Sequence, residues 1–288
     1  MGVADEYDFT GKVAIVTGGG HGIGREIAES LVKHGASVAV TGRTQSRLDE
    51  TIASIETAGG KAIAFATDIA DEAAVRSLVA ETEQQFGPID FLISNAGVDG
   101  PFGPLWLNKT EDWRRTLETN LMGSVIVAQA VLPGMVARRS GRIVFVGSRG
   151  GIIPIPYDTG YAVTKAGLIR LCETLALELE DHNVQCFVIH PGVVHTGMSD
   201  SVLNSPEGRK WLPKYDQALE RGRTPVEWAS DLCNFLVSGQ ADGLSGCFIN
   251  VNDDWRDMAR NAKEIQQGDM YKLRLRTTPG TPPPRPFQ

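Results

Sequence analysis

The chain has 288 residues, 42% of them hydrophobic and 22% charged, with a formal net charge of −7. This is the make-up of a soluble globular protein with ample core material, and its acidic balance argues against nucleic-acid binding as the main activity. The four cysteines, Cys172, Cys186, Cys233 and Cys247, are scattered, with neither metal-type spacing nor a disulfide framework. No apolar run reads as transmembrane, and residues 1–9 lack a signal-peptide pattern. The expectation is a cytoplasmic protein of a reducing compartment, bound to no membrane, nucleic acid or metal.

Residues 12–17 read as a short strand, Val13-Ala14-Ile15-Val16. Gly18-Gly19-Gly20-His21-Gly22-Ile23-Gly24 follows, then a helix over 25–34. The glycine spacing 18, 22, 24 is not GxGxxG. A strand, a glycine turn and a helix nonetheless let backbone approach a phosphate, and the helix N-terminus offers free N–H groups and a positive dipole end. A turn that is glycine-rich for steric reasons alone is the other reading. A second strand, 36–41, ends in Thr41-Gly42-Arg43. At this place an acid would bond a ribose 2′-hydroxyl, whereas Arg suits a 2′-phosphate. No acid occurs before Asp49, so Arg43 favours NADP over NAD, unless it is a solvated surface Arg.

A helix over 46–58 and a strand over 61–67 lead to Asp68-Ile69. A helix over 72–86 and a strand over 89–94 lead to Asn95-Ala96-Gly97. Beyond a Gly/Pro-rich loop, 98–106, a long helix carries Trp113, Leu117, Asn120, Leu121 and Val125. The strand 142–146 ends in Gly147-Ser148, and the strand 184–190 ends in Pro191-Gly192. This alternation predicts an α/β fold, a doubly wound parallel sheet with helices on both faces. Ligands bind at the carboxyl ends of such strands, where Asn95, Ser148 and Gly192 should line one crevice.

Residues 191–223 show weak periodicity and read as a mobile insert over the crevice. A helix over 225–237, with Thr224 as cap, and a last strand over 246–251 follow. Neither a repeat nor a linker divides 9–251, so one domain is expected there, with an extension over 252–288. In the extension 254–265 suits a helix, and the Pro-rich end from Pro279 cannot be one. Tyr271, Leu273 and Leu275 belong to a segment that either docks or frays.

Between Ser148 and the strand at 184 lies a helical run, 161–180, with Leu168, Leu171, Leu175 and Leu179 at helical spacing. Tyr161 and Lys165 stand four apart and so share a face. A free phenol titrates near ~10. A neighbouring ammonium favours the phenolate, and a tuned Tyr can pass a proton to or from a substrate oxygen. A half-buried Tyr beside a solvated Lys is the alternative.

Taken together these segments resemble the single-domain short-chain dehydrogenases/reductases, over about residues 9–251. Thr17-Gly18-xxx-Gly22-Ile23-Gly24 is similar to their cofactor motif, with Gly20 and His21 inside it. Asp68-Ile69 is similar to their adenine-contacting pair. Asn95-Ala96-Gly97 matches their central motif, although Ser94 stands where an Asn is usual. Ser148 precedes Tyr161 by the family's spacing, Asn120 fits the fourth active-site position, and Pro191-Gly192-Val193-Val194-His195-Thr196 resembles the segment that meets the nicotinamide. The resemblance implies a Rossmann-like fold and NADP(H)-linked interconversion of a ketone and a secondary alcohol. Tyr161 would be general acid/base, Lys165 would lower its pKa and hold the nicotinamide ribose, Ser148 would bond the substrate oxygen, and Asn120 would hold a water. Val194 and Thr196 would meet the cofactor, and His21 would add basic character. It also implies a homo-oligomer, tetramer or dimer, paired through the helices of Asn120 and Tyr161.

An epimerase or dehydratase on the same fold remains open, as does a dinucleotide-binding sensor or scaffold without turnover. So do the roles of His195 and Arg149. Phe102, Trp106, Ile152, Ile153, Val193, Met198 and Trp211 are the expected pocket lining, which suggests an apolar or cyclic substrate.

Overall fold

A computed structural model describes residues 7–275. Seven strands form one all-parallel sheet: β1 (Val13–Thr17), β2 (Ser37–Gly42), β3 (Lys61–Ala66), β4 (Phe91–Ser94), β5 (Gly141–Val146), β6 (Val184–His190) and β7 (Phe248–Asn250), in the order 3-2-1-4-5-6-7. Period-2 alternation serves both faces. In β1, Ala14 and Val16 point into one core, while Val13 and Ile15 point into the other.

The first core is closed by α1 (Gly22–Lys33), α2 (Gln45–Thr57) and α10 (Glu227–Val237), through Ile27, Leu31, Leu48, Ile55, Leu232 and Phe235. The second is closed by α3 (Glu72–Phe86), α5 (Gly123–Arg138) and α6 (Thr159–Glu178), through Leu78, Val127, Val131, Leu168 and Ile169. The strand order reverses between β1 and β4, so their loops diverge and open a crevice at their carboxyl ends.

α4 (Thr110–Leu117) runs into α5 through a π turn, Glu118–Met122. The continuous run 110–138 is long and apolar enough to cross a membrane by length and composition, which corrects the expectation that no segment reaches that length. Here Val127, Ala128, Val131 and Met135 are buried in the second core.

The insert over 191–223 is more ordered than its sequence suggests. It forms α7 (Gly197–Asn204), α8 (Pro206–Trp211) and α9 (Tyr215–Arg221). None exceeds eight residues, which is too short for a helical period to show. Local caps start two of them: a Thr196–Ser199 capping box for α7, and Ser205 with Pro206 for α8.

The expected helix over 254–265 is two, α11 (Trp255–Arg260) and α12 (Ala262–Gln267), broken at Asn261. Beyond them the chain docks. Phe248 N–H donates to Tyr271 O at 2.9 Å, Arg170 donates to Leu273 O at 2.8 Å, and Leu273 packs on the second core. Arg274 reaches Glu173 and Asp269, while Leu275 is exposed. The Pro-rich end from Pro279 lies outside the described residues.

Candidate active site

The turn after β1 shows why these positions are glycine. A methyl on Gly18 would lie 2.8 Å from Asn95 Nδ2, and one on Gly24 would lie 2.3 Å from Gly18 O. Gly18 also has φ +67°, which disfavours other residues. Asn95 locks β4 to this turn. Its N–H donates to Thr17 Oγ1 at 2.9 Å, and its side-chain amide donates to Thr17 O at 2.9 Å. Ala96 N–H joins Thr17 Oγ1 at 3.0 Å. The N-terminus of α1 therefore opens onto an uncluttered backbone cradle, which suits an anion.

A cleft runs from this cradle across the strand ends. Of the residues expected to bind a dinucleotide, Gly18, Gly20, His21, Gly22, Ile23 and Arg43 line its first part. Asp68, Ile69, Asn95, Ala96 and Gly97 line its middle, and Tyr161, Lys165, Pro191 and Thr196 its far end. Gly24, Gly192 and Val194 do not face it. Gly24 packs under Gly18, Gly192 packs on Thr224, and Val194 O accepts from Ser199.

Arg47, on α2, lines the cleft beside Arg43 and escaped the sequence reading. Its position, in the first turn of the helix after β2, was the available signal. Burial, and then the Arg47 charge, lower the His21 pKa, so His21 favours the neutral form and Arg47 supplies the cation expected of it.

At the other end, Tyr161 is half-buried and Lys165 is 4% exposed. Lys165 Nζ lies 5.5 Å from the Tyr161 ring centroid and donates to Val146 O at 2.7 Å. Burial lowers Lys165 to about 8, against the pull of Asp99. The Tyr161 pKa is raised, first by burial and then by the charges of Asp158 and Asp99, while a hydrogen bond with Ser148 opposes the rise. The expected acidification of the phenol by Lys165 is thus not met in this state: burial dominates, the two carboxylates add to it, and the Ser148 hydrogen bond is what pulls the other way. Ser148, the first residue after Gly147, sits beside the phenol and also accepts from Gly150 N–H at 3.1 Å.

Asn120 is fully buried in the π turn, a device common at functional sites. Its Oδ1 accepts from Val98 N–H at 2.7 Å. Its Nδ2 donates to Val98 O at 2.9 Å and to Thr164 Oγ1 at 3.3 Å. With the side chain so engaged, a water would be left to its main-chain oxygen, which also accepts from Ser124 at 3.0 Å. Ser124 in turn accepts from Ser94 at 2.9 Å. The unusual Ser94 therefore anchors the same turn.

A second cavity opens past Gly97 and Met198, between the 98–108 loop and α7–α8. Of the expected lining only Phe102, Met198 and Trp211 face it. Trp106 is 82% exposed on a 3-10 turn, Leu105–Leu107, that points outward. Ile152 and Ile153 are half exposed, and Val193 bridges to Arg223. Polar residues that the sequence reading missed take their place, Asp99 and Ser201 among them. His195 lines neither cavity and pairs with Asp200 at 2.9 Å, and Arg149 is exposed away from both.

The sheet order, the glycine cradle and the long cleft at the strand reversal define a dinucleotide-binding α/β oxidoreductase. The family model for short chain dehydrogenase matches residues 12–207, and the chain belongs to that family of NAD(P)-dependent enzymes acting on hydroxyl and carbonyl groups. It is 34% identical over 273 residues to a short chain dehydrogenase of Pseudocercospora fijiensis, covering 92% of this chain and 88% of that one. It is 34% identical over 243 residues to the 2,3-dihydro-2,3-dihydroxybenzoate dehydrogenase of Bacillus subtilis, covering 82% and 92%. The crystal structure of levodione reductase matches with a TM-score of 0.77 and 27% identity, over 88% of this chain and 99% of that one.

Proposed function

We propose that the chain interconverts a ketone and a secondary alcohol with NADP(H), using Tyr161 as general acid in reduction and general base in oxidation. The observation that carries this reading is the meeting of Tyr161 and the buried Lys165 at one end of a cleft whose other end is an anion cradle, with Ser148 hydrogen-bonded to the phenol. The residues present fit the dinucleotide. Gly18 and Gly24 leave room that a Cβ would fill, and the N-terminus of α1 suits a pyrophosphate. Arg43 and Arg47 suit a 2′-phosphate, which favours NADP over NAD. Asp68 and Ile69 would hold the adenine, and Asn95, Ala96, Gly97, Pro191 and Thr196 the nicotinamide side. Bound NADP(H) supplies or accepts the hydride.

The protein's own groups manage the oxygen and its proton. In reduction Tyr161 gives its proton to the carbonyl oxygen; in oxidation it takes the carbinol proton. Ser148 donates a hydrogen bond to the same oxygen. Lys165 holds the ribose and places a cation beside the phenol. Asn120 acts from behind, fixing Val98 and α6 so that Gly97 and Tyr161 keep their separation. The substrate enters through the second cavity, whose lining mixes Phe102, Met198 and Trp211 with Asp99 and Ser201. The protein assembles as a homo-oligomer through α5 and α6, near exposed Met122 and Val163. Size-exclusion chromatography showing monomer alone at micromolar concentration would dispose of that assembly.

A carbonyl and alcohol panel with NADPH and NADH tests the reading. Turnover should consume NADPH stoichiometrically, which an epimerase that regenerates its cofactor would not do. Tyr161→Phe should bind NADPH yet lose about 10²-fold or more in kcat. Full turnover by that variant would reject the assignment.

A further inference from the structure

The 98–100 segment brings a carboxylate into the substrate cavity beside the phenol. Gly97 and Gly100 bracket it. A methyl on Gly97 would lie 3.8 Å from Lys165 Nζ, and one on Gly100 would lie 3.1 Å from Tyr161 N and 2.6 Å from Asp158 Oδ1. Asp99 between them is pinned on two sides. Its main-chain oxygen accepts from Thr116 Oγ1 at 3.2 Å, and its Oδ2 accepts from Ser201 Oγ on α7. Its Oδ1 has no hydrogen-bond partner among the described residues, and Asp99 lines the cavity. Lys165 is the cation felt at Asp99, but its ammonium is bonded to Val146 O. A second carboxylate, Asp158, lies beneath, 6% exposed, with an unpartnered Oδ1. The backbone N–H groups of Gly100 and Tyr161 face it without hydrogen-bond geometry to that atom. Two acids held together beside one cation, Lys165, whose ammonium is bonded elsewhere, serve packing poorly, and such pairs gather at functional sites.

We propose that Asp99 is a specificity-determining residue whose free oxygen takes a hydrogen bond from a second, non-reacting hydroxyl of the substrate, so that the substrate is a vicinal diol or the matching α-hydroxy ketone. This rests on the ketone/alcohol chemistry proposed for Tyr161. A hydroxyl fits better than an ammonium. Burial raises Asp99 to about 6, so at neutral pH it is mainly an ionised acceptor, and Lys165 beside it already supplies a cation that would repel a substrate ammonium. The neighbouring groups on α7 and α9, Ser199, Ser201 and Tyr215, are themselves hydroxyls.

The test is a set of matched pairs with the full-length protein and NADP⁺: cyclohexanol against cyclohexane-1,2-diol, 2-butanol against 2,3-butanediol, and 1-indanol against indane-1,2-diol. In at least one pair kcat/KM for the diol should exceed that for the mono-ol by about 10- to 100-fold, the worth of a hydrogen bond to a charged group. Asp99→Ala should shrink that ratio to about threefold or less, and Ser201→Ala, which frees Asp99, should lower it partway. Loss of fold or of the cofactor would lower both members of a pair and leave the ratio intact. If Asp99→Ala does not fold, Asp99→Asn keeps the shape and should still reduce the ratio severalfold. Mono-ols matching diols in every pair, or a diol preference that survives at Asp99→Ala or Asp99→Asn, would overturn the assignment. If no carbinol turns over, the oxidoreductase reading fails by itself, and the part of the tryptophan fluorescence that is lost in Trp211→Phe, followed under diol titration with NADP⁺ present, decides this one. Saturable quenching that weakens in the Asp99 variant supports it, and no diol-dependent signal overturns it.

Discussion

Gly24→Ala probes the cradle directly. The added methyl would sit 2.3 Å from Gly18 O and 2.4 Å from Asn95 Nδ2, where ordinary contact begins at 3.4 Å. The gap must therefore open by about 1 Å, from 3.4 minus 2.3. Neither obstacle is a loose side-chain end. One is backbone in a φ +67° turn, and the other is an amide held to Thr17 O at 2.9 Å. Overpacking of this kind costs ~1–3 kcal/mol, and losing the Asn95 bond adds ~1. The better helix propensity of Ala returns ~1. The net is about 1–3 kcal/mol, and at ~2–4 °C per kcal/mol for a chain of this size the apo Tm should fall by roughly 2–12 °C. The same shift moves the N–H groups at 20–22, so KM for NADPH should rise about tenfold, the equivalent of ~1.4 kcal/mol. Differential scanning fluorimetry with and without NADPH, together with steady-state kinetics, reads both effects. Gly11→Ala is the control: φ is +76° but nothing lies within 4 Å, so it should lose about 1 kcal/mol and leave KM alone. A Gly24→Ala protein that melts with the wild type and binds NADPH equally well would refute the argument that the turn is glycine for close approach.

Three further outcomes are expected. Arg43→Ala combined with Arg47→Ala should raise KM for NADPH by about 10- to 100-fold through lost charge-assisted bonds while sparing NADH; an equal effect on both cofactors would remove the 2′-phosphate role. Asn120→Ala leaves Val98 N–H and O without their partner in a half-buried setting, at up to about 1 kcal/mol for each group. It should lower Tm and cut kcat more than KM for NADPH, and an unchanged kcat would show that Val98 needs no such anchor. Asp158 is raised by burial from 3.8 to about 7, so its contribution to stability is fully present below pH ~4 and is lost as pH rises through ~7, up to about 4 kcal/mol. Urea midpoints at pH 5 and pH 8 should therefore separate less in Asp158→Asn than in the wild type. His190, lowered to about 4 by burial, has the opposite trend and is common to both proteins, so it drops out of the comparison. An identical pH dependence in the two proteins would contradict the buried-acid reading.

What local order carries was legible in the chain itself. The alternation of strands and helices, the glycine turn after β1, and the four-residue step from Tyr161 to Lys165 are short-range patterns, and each reappears in place. The short helices α7 to α9 were not legible, because none is long enough to show an apolar stripe, and α7 and α8 are started by local caps. Trp106 reads as lining by composition, yet it faces outward because its 3-10 turn does. Ser94 looked like a departure from pattern until its hydroxyl was found supporting the π turn of Asn120 through Ser124. Arg47 joins Arg43 only once α2 folds against β2. Asp99 and Asp158 are 59 positions apart and become neighbours only when the 98–100 segment lies on the start of α6. The sequence by itself therefore determined the order of elements and the identity of the phenol–ammonium pair, since both depend on residues a few positions apart. Tertiary structure alone decided the electrostatic setting of that pair, because the charge a buried group feels comes from whichever distant residues the fold places around it.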